Sequence, residues 1–545
     1  MDSNAPIRSR ATEEGDLQIP LWSVPLVLVV LYVCLFSGLG AIGLVGPDEP
    51  RYAAIARAMA ETRDWVTPRL WGTPWFEKPV LYYWAAGAAM RLFGVSEFSA
   101  RLPSALAALL AVLAASWTAL RSYGLGAAWY TLLMLPTSVA MIGFARAAGP
   151  DMLFAGFLTA AMAVAVEMLQ RPRPGNLYRV LFGFFLGAAV LAKGPAAIVL
   201  AGGATLLWAA LSRQWRAAFQ FLHPFVIAAL LMTSLPWYIL CALRNPEFLR
   251  VFLWQHNFER YLTPVFEHRQ PLWFYVPIAF VGILPWVGML STLPARMRHW
   301  RHLLDSPGMF CGCWAAFPIL FFSFSQSKLP GYIIPAIPPL FVVMGHGLAL
   351  TLELSGKGAR NLFFGTGALF LLPAMLLGVE IKRNGGLRGV PELNLTIIVL
   401  LAVFGGLLAV LCTTAKRPRA AFVTIVLLVS VIIEVVNFRL LPELDLQISA
   451  RTVAHQLLRQ DPSSENVAVH DIPRDRHYGL NYYLGHELPE WSANSPQPVW
   501  LFGGLGTDAT FQMRYHVSLT ELSKGHYPFV DLYRVAGPGE TSSPH

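Results

Sequence analysis

The chain has 545 residues, of which 55% are hydrophobic and only 13% charged. Soluble domains carry about 25% charged residues, so a soluble globular protein is excluded and an integral membrane protein with many spans is expected. The net charge of +9 does not point to nucleic acid, because the basic residues sit mostly in short links between apolar runs.

In chain order, residues 1–20 are polar and mixed in charge. They read as a cytoplasmic N-terminal segment, not a cleavable signal. A span is expected near 21–45. The stretch from Gly46 to Trp84 follows, and it holds most of the candidate chemistry. Asp48 and Glu49 stand directly before Pro50, and Glu77 and Lys78 directly before Pro79. Proline suits the first helical position, and acidic groups suit the electropositive helix start, so each pair reads as a helix cap. Two such pairs in one loop also read as a polar site. The helix from Pro50 places Tyr52, Ile55, Ala56 and Met59 on one stripe and leaves Arg51, Arg57 and Glu61 off it, the pattern of a helix lying on a membrane. Trp65, Trp71, Trp75, Phe76, Tyr82, Tyr83 and Trp84 read as an aromatic belt at headgroup level. Val80–Gly94 is apolar but short, and reads as a re-entrant or interfacial helix.

Further spans are expected near 99–121, 125–145, 151–169, 177–193, 195–212, 219–241, 273–293, 308–326, 331–352, 361–380, 394–413 and 420–441, about thirteen with the first. The links then alternate. Basic inner links fall at Arg121, 171–179, 213–216, 296–301, 357–360 and 416–419; Lys382, Arg383 and Arg388 on the outer side are the exception. The outer set includes the 46–98 and 242–272 loops and the C-terminal tail. By this parity Asp48, Glu77, Lys78, Asp151, Lys193, His256, Arg260, His268, Arg269 and Lys328 share the outer face, which predicts a water-filled cavity there. Arg146 and Asp151 are close enough in sequence to pair, and Lys193 and Lys328 could each snorkel to the interface.

The 242–272 loop interleaves Arg244, Arg250, His256, Arg260, His268 and Arg269 with Phe248, Phe252, Trp254, Phe258, Tyr261 and Phe266. Guanidinium forks match phosphate oxygens, and aromatic rings cover a lipid or a sugar face. Glu77, His256 and His268 are a candidate metal set, although their spacing is no recognisable metal motif. Of the five cysteines, Cys311 and Cys313 sit within a span without nearby histidines and read as packing. From residue 442 the composition changes. Strands are expected at Asn466–Asp471, Pro498–Phe502 and Phe529–Val535, with helices at Ala450–Leu458 and Asp475–Leu484. Residues 442–545 read as a small α/β domain on the outer side, by parity, behind a transmembrane domain of 21–441.

Four motifs carry a resemblance: Pro47-Asp48-Glu49-Pro50-Arg51-Tyr52, Glu77-Lys78-Pro79, His268-Arg269-x-Pro271 with Trp273 and Tyr275, and Lys328-Leu-Pro330-x-Tyr332-Ile-x-Pro335. Over residues 20–350 the chain resembles bacterial 4-amino-4-deoxy-L-arabinose lipid A transferases, membrane glycosyltransferases of the GT-C fold. The resemblance implies a polytopic α-helical enzyme of the bacterial inner membrane with its site facing the periplasm. It implies a sugar taken from an undecaprenyl-phosphate donor and placed on lipid A phosphate or a related envelope acceptor.

Breaking the bond between sugar and phosphate leaves charge on the phosphate, which calls for cations: Lys78 and Arg269 first, with Lys328 and Arg260 in support. The electron-poor sugar calls for carboxylates: Asp48 first, with Asp151 and Glu77 assisting or holding an amine. Glu49, Arg51, Tyr52, Tyr82, Lys193, His256, His268 and Tyr332 are further candidates. A phosphate acceptor hardly needs a base, whereas a hydroxyl acceptor would use Asp48. No cofactor is required; a divalent metal is compatible with the chemistry without being demanded. The rival readings are a transporter or flippase of polyprenyl-linked sugars and a GT-C transferase acting on a protein hydroxyl. Transporters usually place charges on broken helices near the midplane in two related halves, and here the charges lie in outer loops with no repeat.

Overall fold

The computed structural model describes residues 23–171, 173–259, 270–292, 307–354, 356–384, 392–415, 417–492, 495–504, 507, 512, 518–522 and 530–536. The first helix, α1 (Ser23–Leu31), runs into a π turn at Tyr32–Phe36. There follow α2 (Asp48–Thr62), α3 (Leu81–Phe93), α4 (Glu97–Tyr123), α5 (Leu125–Met134), α6 (Val139–Ala145), α7 (Pro150–Leu169), α8 (Asn176–Lys193) and α9 (Ala196–Ser212). Later helices are named here by their residues.

Each predicted span falls on a helix or on a bent pair of helices. Among the described residues, eight helices are long and apolar enough to cross a membrane, or up to ten if each bent pair is one span. The shorter apolar helices Ser23–Phe36, Ala196–Ser212 and Pro307–Ser323 occupy the remaining predicted positions. The bends have a local cause. α5 and α6 meet at 58° around Pro136, and Leu272–Gly282 meets Trp286–Thr292 at 105° around Pro285. Proline lacks the N–H that a continuing helix needs and clashes with the preceding turn.

α4 and α7 pack along one another in the middle of the helical part. α4 presents buried Ala100, Ala107, Ala108, Ala111, Ala115 and Ala119. At Gly156 of α7 an added Cβ would stand 2.5 Å from the Ala107 carbonyl oxygen, so the backbones meet where only glycine fits. Small residues allow this close approach, and dispersion then holds helices that lipid alone would not drive together. Cys311 and Cys313 are buried and free, as packing residues should be.

Two interfacial expectations are corrected. α2 does not lie on lipid; it packs against α3 and against the Arg474–Leu484 helix of the C-terminal unit. Its stripe of Tyr52, Ile55, Ala56 and Met59 is buried as expected, but Arg51, read as off the stripe, is buried too. The aromatic residues after it are not a lipid-facing belt. Phe76, Tyr82 and Tyr83 are buried, and the Trp84 indole donates to the Trp65 carbonyl at 2.6 Å. Farther along, Trp237 donates to the Val66 carbonyl at 3.0 Å. These rings satisfy the backbone of an irregular loop, which otherwise would leave polar groups unpaired.

The C-terminal unit has its own core, including Val453, Leu457, Val467, Val469, Leu480, Phe502 and Leu532. Its strands β3 (Val467–His470), β4 (Trp500–Gly503), β5 (Ser518–Glu521) and β6 (Asp531–Ala536) form a sheet in the order β3-β4-β6-β5. A short ribbon, β1 (Arg69–Leu70) and β2 (Thr73–Pro74), lies earlier in the chain. In the larger sheet, β3 pairs parallel with β4, Val467 opposite Trp500, and the other pairs are antiparallel. The three expected strands and both expected helices, Arg451–Gln460 and Arg474–Leu484, are present. β5 was not foreseen, because Ser-Leu-Thr-Glu is too short and mixed to announce a strand.

This unit is joined to the segment that leads into α2. Asp445 accepts from the Gly43 amide at 2.6 Å, and the Tyr483 hydroxyl accepts from the Leu44 amide at 2.8 Å. Tyr483 also donates to Glu97 at 2.9 Å, and Arg451 pairs with both Asp445 and Glu97.

Candidate active site

α2 begins at Asp48, with Pro47 as its N-cap residue and no side-chain cap bond. The caps read from the sequence are therefore absent at this helix. Asp48 and Glu49 occupy the first turn and point their charges elsewhere. Glu77 and Lys78 are not caps either: they lie in a bend before α3, whose N-cap residue is Val80.

Glu49 is tied inward. Both of its oxygens meet Arg101 of α4, at 2.7 and 3.2 Å, and they also accept from the amides of Val45 (2.8 Å) and Ala148 (2.6 Å). Arg101 in turn donates to the carbonyls of Leu39, Ile42 and Gly43. One carboxylate thus fastens the loop before α2, the start of α2 and the residues just before α7. Arg101 was missed in the sequence, although an arginine inside an apolar run is itself a signal.

Arg51 is the second junction. It pairs with Asp48 on its own helix and with Glu77 at 3.1 Å, and Glu77 meets Lys78 at 3.2 Å. Burial by itself would lower the Arg51 pKa, but the Glu77 charge, followed by Tyr52 and Asp48, holds it above its ordinary value. Tyr52 is buried, and burial, with Glu77 next, raises its phenol well above the usual range. Its ring lies 6.2 Å from both Tyr82 and Tyr83. Tyr82 donates to the Ala100 carbonyl at 2.8 Å. Among the described residues, Arg51 Nε, Trp75 Nε1 and the Tyr83 hydroxyl are buried here without a hydrogen-bond partner.

Beside Glu77 lies a cavity of about 510 Å³, lined by Trp75, Phe76, Glu77, Arg244, Asn245 and Glu247 among others. Its volume falls in the range of small-molecule sites. Of the rings expected to interleave with arginines in the 242–272 loop, Phe248 and Phe252 turn inward instead, stacked at 5.6 Å and packed on Trp237 and Tyr238, while Trp254 is exposed; the Phe258 side chain, Tyr261 and Phe266 lie outside the described residues. The exposed Arg244 pairs with Asp64 of the loop after α2, and the exposed Arg250 pairs locally with Glu247.

A second cluster sits at the start of α7. Asp151 pairs with Lys193 from the end of α8, so Lys193 does not snorkel and Arg146 does not take Asp151 as its partner. Arg146 instead donates to the carbonyls of Val33, Cys34, Ser37 and Ile142, around the end of the first helix. The Lys193 ammonium stands 4.6 Å from the Tyr332 ring centre. At Gly331 an added Cβ would lie 2.7 Å from Asp151 Oδ2, so the backbone there closes on the carboxylate. Lys328 is buried and donates to the carbonyls of Gln270 (2.9 Å) and Ser325 (2.7 Å), and burial lowers its pKa. It does not snorkel either.

Arg260, His268 and Arg269 lie outside the described residues, as does the side chain of His256. Of the candidate metal set only Glu77 can be placed, and its carboxylate faces two cations, Arg51 and Lys78. Among the described residues no group of three or more His, Cys, Asp or Glu side chains is arranged to hold a metal.

Residues 21–252 match the family model described as dolichyl-phosphate-mannose-protein mannosyltransferase. An undecaprenyl phosphate-alpha-4-amino-4-deoxy-L-arabinose arabinosyl transferase 2 of Pseudomonas fluorescens is 31% identical over 405 residues, 73% of this chain and 72% of that protein. The chain belongs to this arabinosyl transferase family. A second member, from Edwardsiella ictaluri, is 34% identical over 359 residues, and the match spans 64% of each protein, just under two thirds of the relative's length. The family fold extends over nearly the whole chain. The crystal structure of ArnT from Cupriavidus metallidurans bound to undecaprenyl phosphate superposes with a TM-score of 0.78 at 24% identity, covering 96% of this chain and 99% of that one.

Proposed function

We propose that the chain moves a sugar, 4-amino-4-deoxy-L-arabinose or a close relative, from an undecaprenyl-phosphate donor to lipid A phosphate or a related envelope acceptor. The reaction takes place on the periplasmic side of the bacterial inner membrane. The names of its relatives support the donor and the sugar. The observation that carries the reading is the Asp48–Arg51–Glu77–Lys78 chain of charges beside a cavity of about 510 Å³. Arg51 Nε, Trp75 Nε1 and the Tyr83 hydroxyl, buried around it and unpartnered among the described residues, support the same reading. Leaving such atoms unpaired costs about 1–3 kcal/mol each, which sugar or phosphate oxygens would offset.

In the proposed reaction an acceptor oxygen attacks the anomeric carbon. The bond from that carbon to the donor phosphate breaks, and undecaprenyl phosphate leaves with the electron pair. Lys78 meets the growing phosphate charge, with Arg269, Lys328 and Arg260 in support. Asp48 stabilises the electron-poor sugar, and Glu77 and Asp151 hold an amine or assist. A phosphate acceptor is already an anion and needs no base, while a hydroxyl acceptor would pass its proton to Asp48. Glu49, Tyr52 and Tyr82 act by placing these groups, and Lys193 and Tyr332 by holding Asp151. No cofactor enters this scheme. A divalent ion at Glu77, His256 and His268 is a separate proposal, and it would have to displace a cation from Glu77.

The domain reading is proposed with it: a cytoplasmic segment 1–20, a transmembrane domain 21–441 and a periplasmic unit 442–545. The bonds from Asp445, Arg451 and Tyr483 to the Gly43 amide, the Gly40 carbonyl and the Leu44 amide, before α2, support a common side for that unit and the site.

The test is transfer by the purified protein, with undecaprenyl-phosphate-linked 4-amino-4-deoxy-L-arabinose as donor and lipid A as acceptor, read by mass spectrometry. A donor-dependent gain of one aminosugar mass on lipid A is expected. Movement of the intact donor across a vesicle bilayer with no transfer would overturn the reading in favour of a flippase.

A further inference from the structure

Arg51 is surrounded by aromatic rings from three parts of the chain. Its guanidinium carbon lies 5.3 Å from the Tyr52 ring centre, 5.5 Å from Trp75 and 6.0 Å from Tyr478. Tyr52 shares α2 with Arg51, and Trp75 comes from the following loop. Tyr478 comes from the Arg474–Leu484 helix of the C-terminal unit. A cation within about 6 Å of a ring is attracted by the ring's quadrupole, more strongly when water is excluded. Arg51 is 6% exposed, so water is largely excluded here.

The Tyr478 helix is anchored rather than resting there. Toward its C-terminal end, Arg57 of α2 donates to the Tyr482 carbonyl at 3.3 Å, and the Tyr483 hydroxyl bonds both Glu97 and the Leu44 amide. At its start, Arg474 lies 5.2 Å from the Tyr478 ring centre and donates to the Tyr478 hydroxyl at 3.3 Å. The ring is therefore shared between the exposed Arg474 and the buried Arg51, and its position relative to Arg51 is set by a helix fastened along its length.

We infer that Tyr478 is a positioning residue for the transfer reaction and that the C-terminal unit completes the site. This inference rests on the function proposed above. The ring fixes the guanidinium that neutralises Asp48 and Glu77 together. Without it, Arg51 is free to leave one carboxylate for the other or for water, and the carboxylate nearest the sugar loses its placement. A displacement of about 1 Å in a reacting group can cost about 100-fold in rate, so a residue that never touches substrate can still govern turnover.

The test uses the full-length purified protein with the donor and lipid A acceptor named above. Tyr478→Leu is expected to lower kcat about 10- to 100-fold while KM for the donor stays within about 3-fold, the split that marks a loss felt in the transition state. Tyr478→Phe keeps the ring and is expected to retain at least about half of the rate. The decisive arm is a cycle with Arg51→Gln, which removes the charge that the ring attracts. In that background Tyr478→Leu should cost less than about 2-fold more, because residues acting through one contact are not additive.

Equal losses from Tyr478→Leu in both backgrounds would reduce Tyr478 to a domain-packing role and overturn the inference, as would wild-type kcat in Tyr478→Leu. Should the leucine variant fail to yield monodisperse protein, Tyr478→Met takes its place in the same cycle. The two readings fail separately. A wild-type protein that transfers nothing sinks the proposed function, and an active wild type with an indifferent Tyr478 sinks only this inference.

Discussion

Arg51 stands 3.1 Å from Glu77, and this contact joins the first turn of α2 to the bend before α3. The same guanidinium also holds the exposed Asp48 one turn back on α2, so Arg51 joins an exposed carboxylate to a buried one. Desolvating Arg51 and Glu77 is unfavourable unless each charge is matched, and here Glu77 faces both Arg51 and Lys78. Loss of Arg51 or of Glu77 therefore leaves a buried charge poorly matched.

Asp48→Asn removes a charge while keeping the shape of the side chain. No cap bond is lost with it, because α2 has none at that end. Transfer is expected to fall about 100- to 1,000-fold, with donor binding changed by less than about 3-fold. Binding and transfer measured separately on purified protein check this. Near-normal transfer would move the catalytic assignment to Asp151 or Glu77.

Lys78→Ala is expected to weaken donor binding about 10-fold or more, while the protein is extracted and purified normally. Arg269→Ala should do the same, with Arg269→Lys recovering only part of the loss if the contact uses both guanidinium nitrogens. Unchanged affinity in both alanine variants, measured with the lipid-linked donor, would exclude them as the phosphate clamp.

Glu49 and Arg101 predict the opposite behaviour. They meet in a buried two-point pair that also gathers backbone groups from two segments, the loop before α2 and the residues before α7. Arg101→Met leaves Glu49 charged and unpaired, which costs about 3–5 kcal/mol. The expected result is a lower melting temperature or poor extraction, with the surviving folded protein binding donor nearly as well as wild type. Loss of donor binding at an unchanged melting temperature would refute the structural role.

Lys328 predicts a pH dependence. Burial holds its pKa below the ordinary 10.5, so the folded protein releases this proton at a lower pH than the unfolded chain does. Between those two values the unfolded chain binds more protons, and stability rises with pH; below the folded value both states are charged and the burial cost is fully present. In this alkaline window the melting temperature of wild type should gain on that of Lys328→Met. Donor affinity should fall in the same window, and Lys328→Arg, which stays charged, should delay that fall. Parallel pH profiles for all three proteins would remove Lys328 from the phosphate site.

Topology can be read by cysteine labelling. Glu465→Cys, in the C-terminal unit, should react with an impermeant maleimide in intact spheroplasts, whereas Arg173→Cys should react only after permeabilisation. The reverse pattern would place the C-terminal unit on the inner side and dismantle the proposed periplasmic site.

The sequence by itself determined the membrane class, the positions of the apolar segments, the α/β character of the C-terminal unit and the membership of Asp48, Glu77, Lys78, Asp151 and Lys328 in a candidate set. Those properties are local: hydropathy over about 20 residues, strand and helix periodicity, and short motifs record them in consecutive residues. Only the tertiary structure decided who meets whom. Arg51 looked like a solvent-facing residue of a surface helix, because periodicity shows which side of α2 is apolar but not that the C-terminal helix covers another side. Arg101 was lost in an apolar run, and its partner Glu49 lies in a different segment. Arg146 lay near Asp151 in sequence, yet Asp151 took Lys193, since the end of α8 brings that ammonium to the start of α7. Tyr478 carried no signal at all. Pairings between distant segments depend on how the helices pack and on which charges must be matched once water is excluded, and neither is written in neighbouring residues.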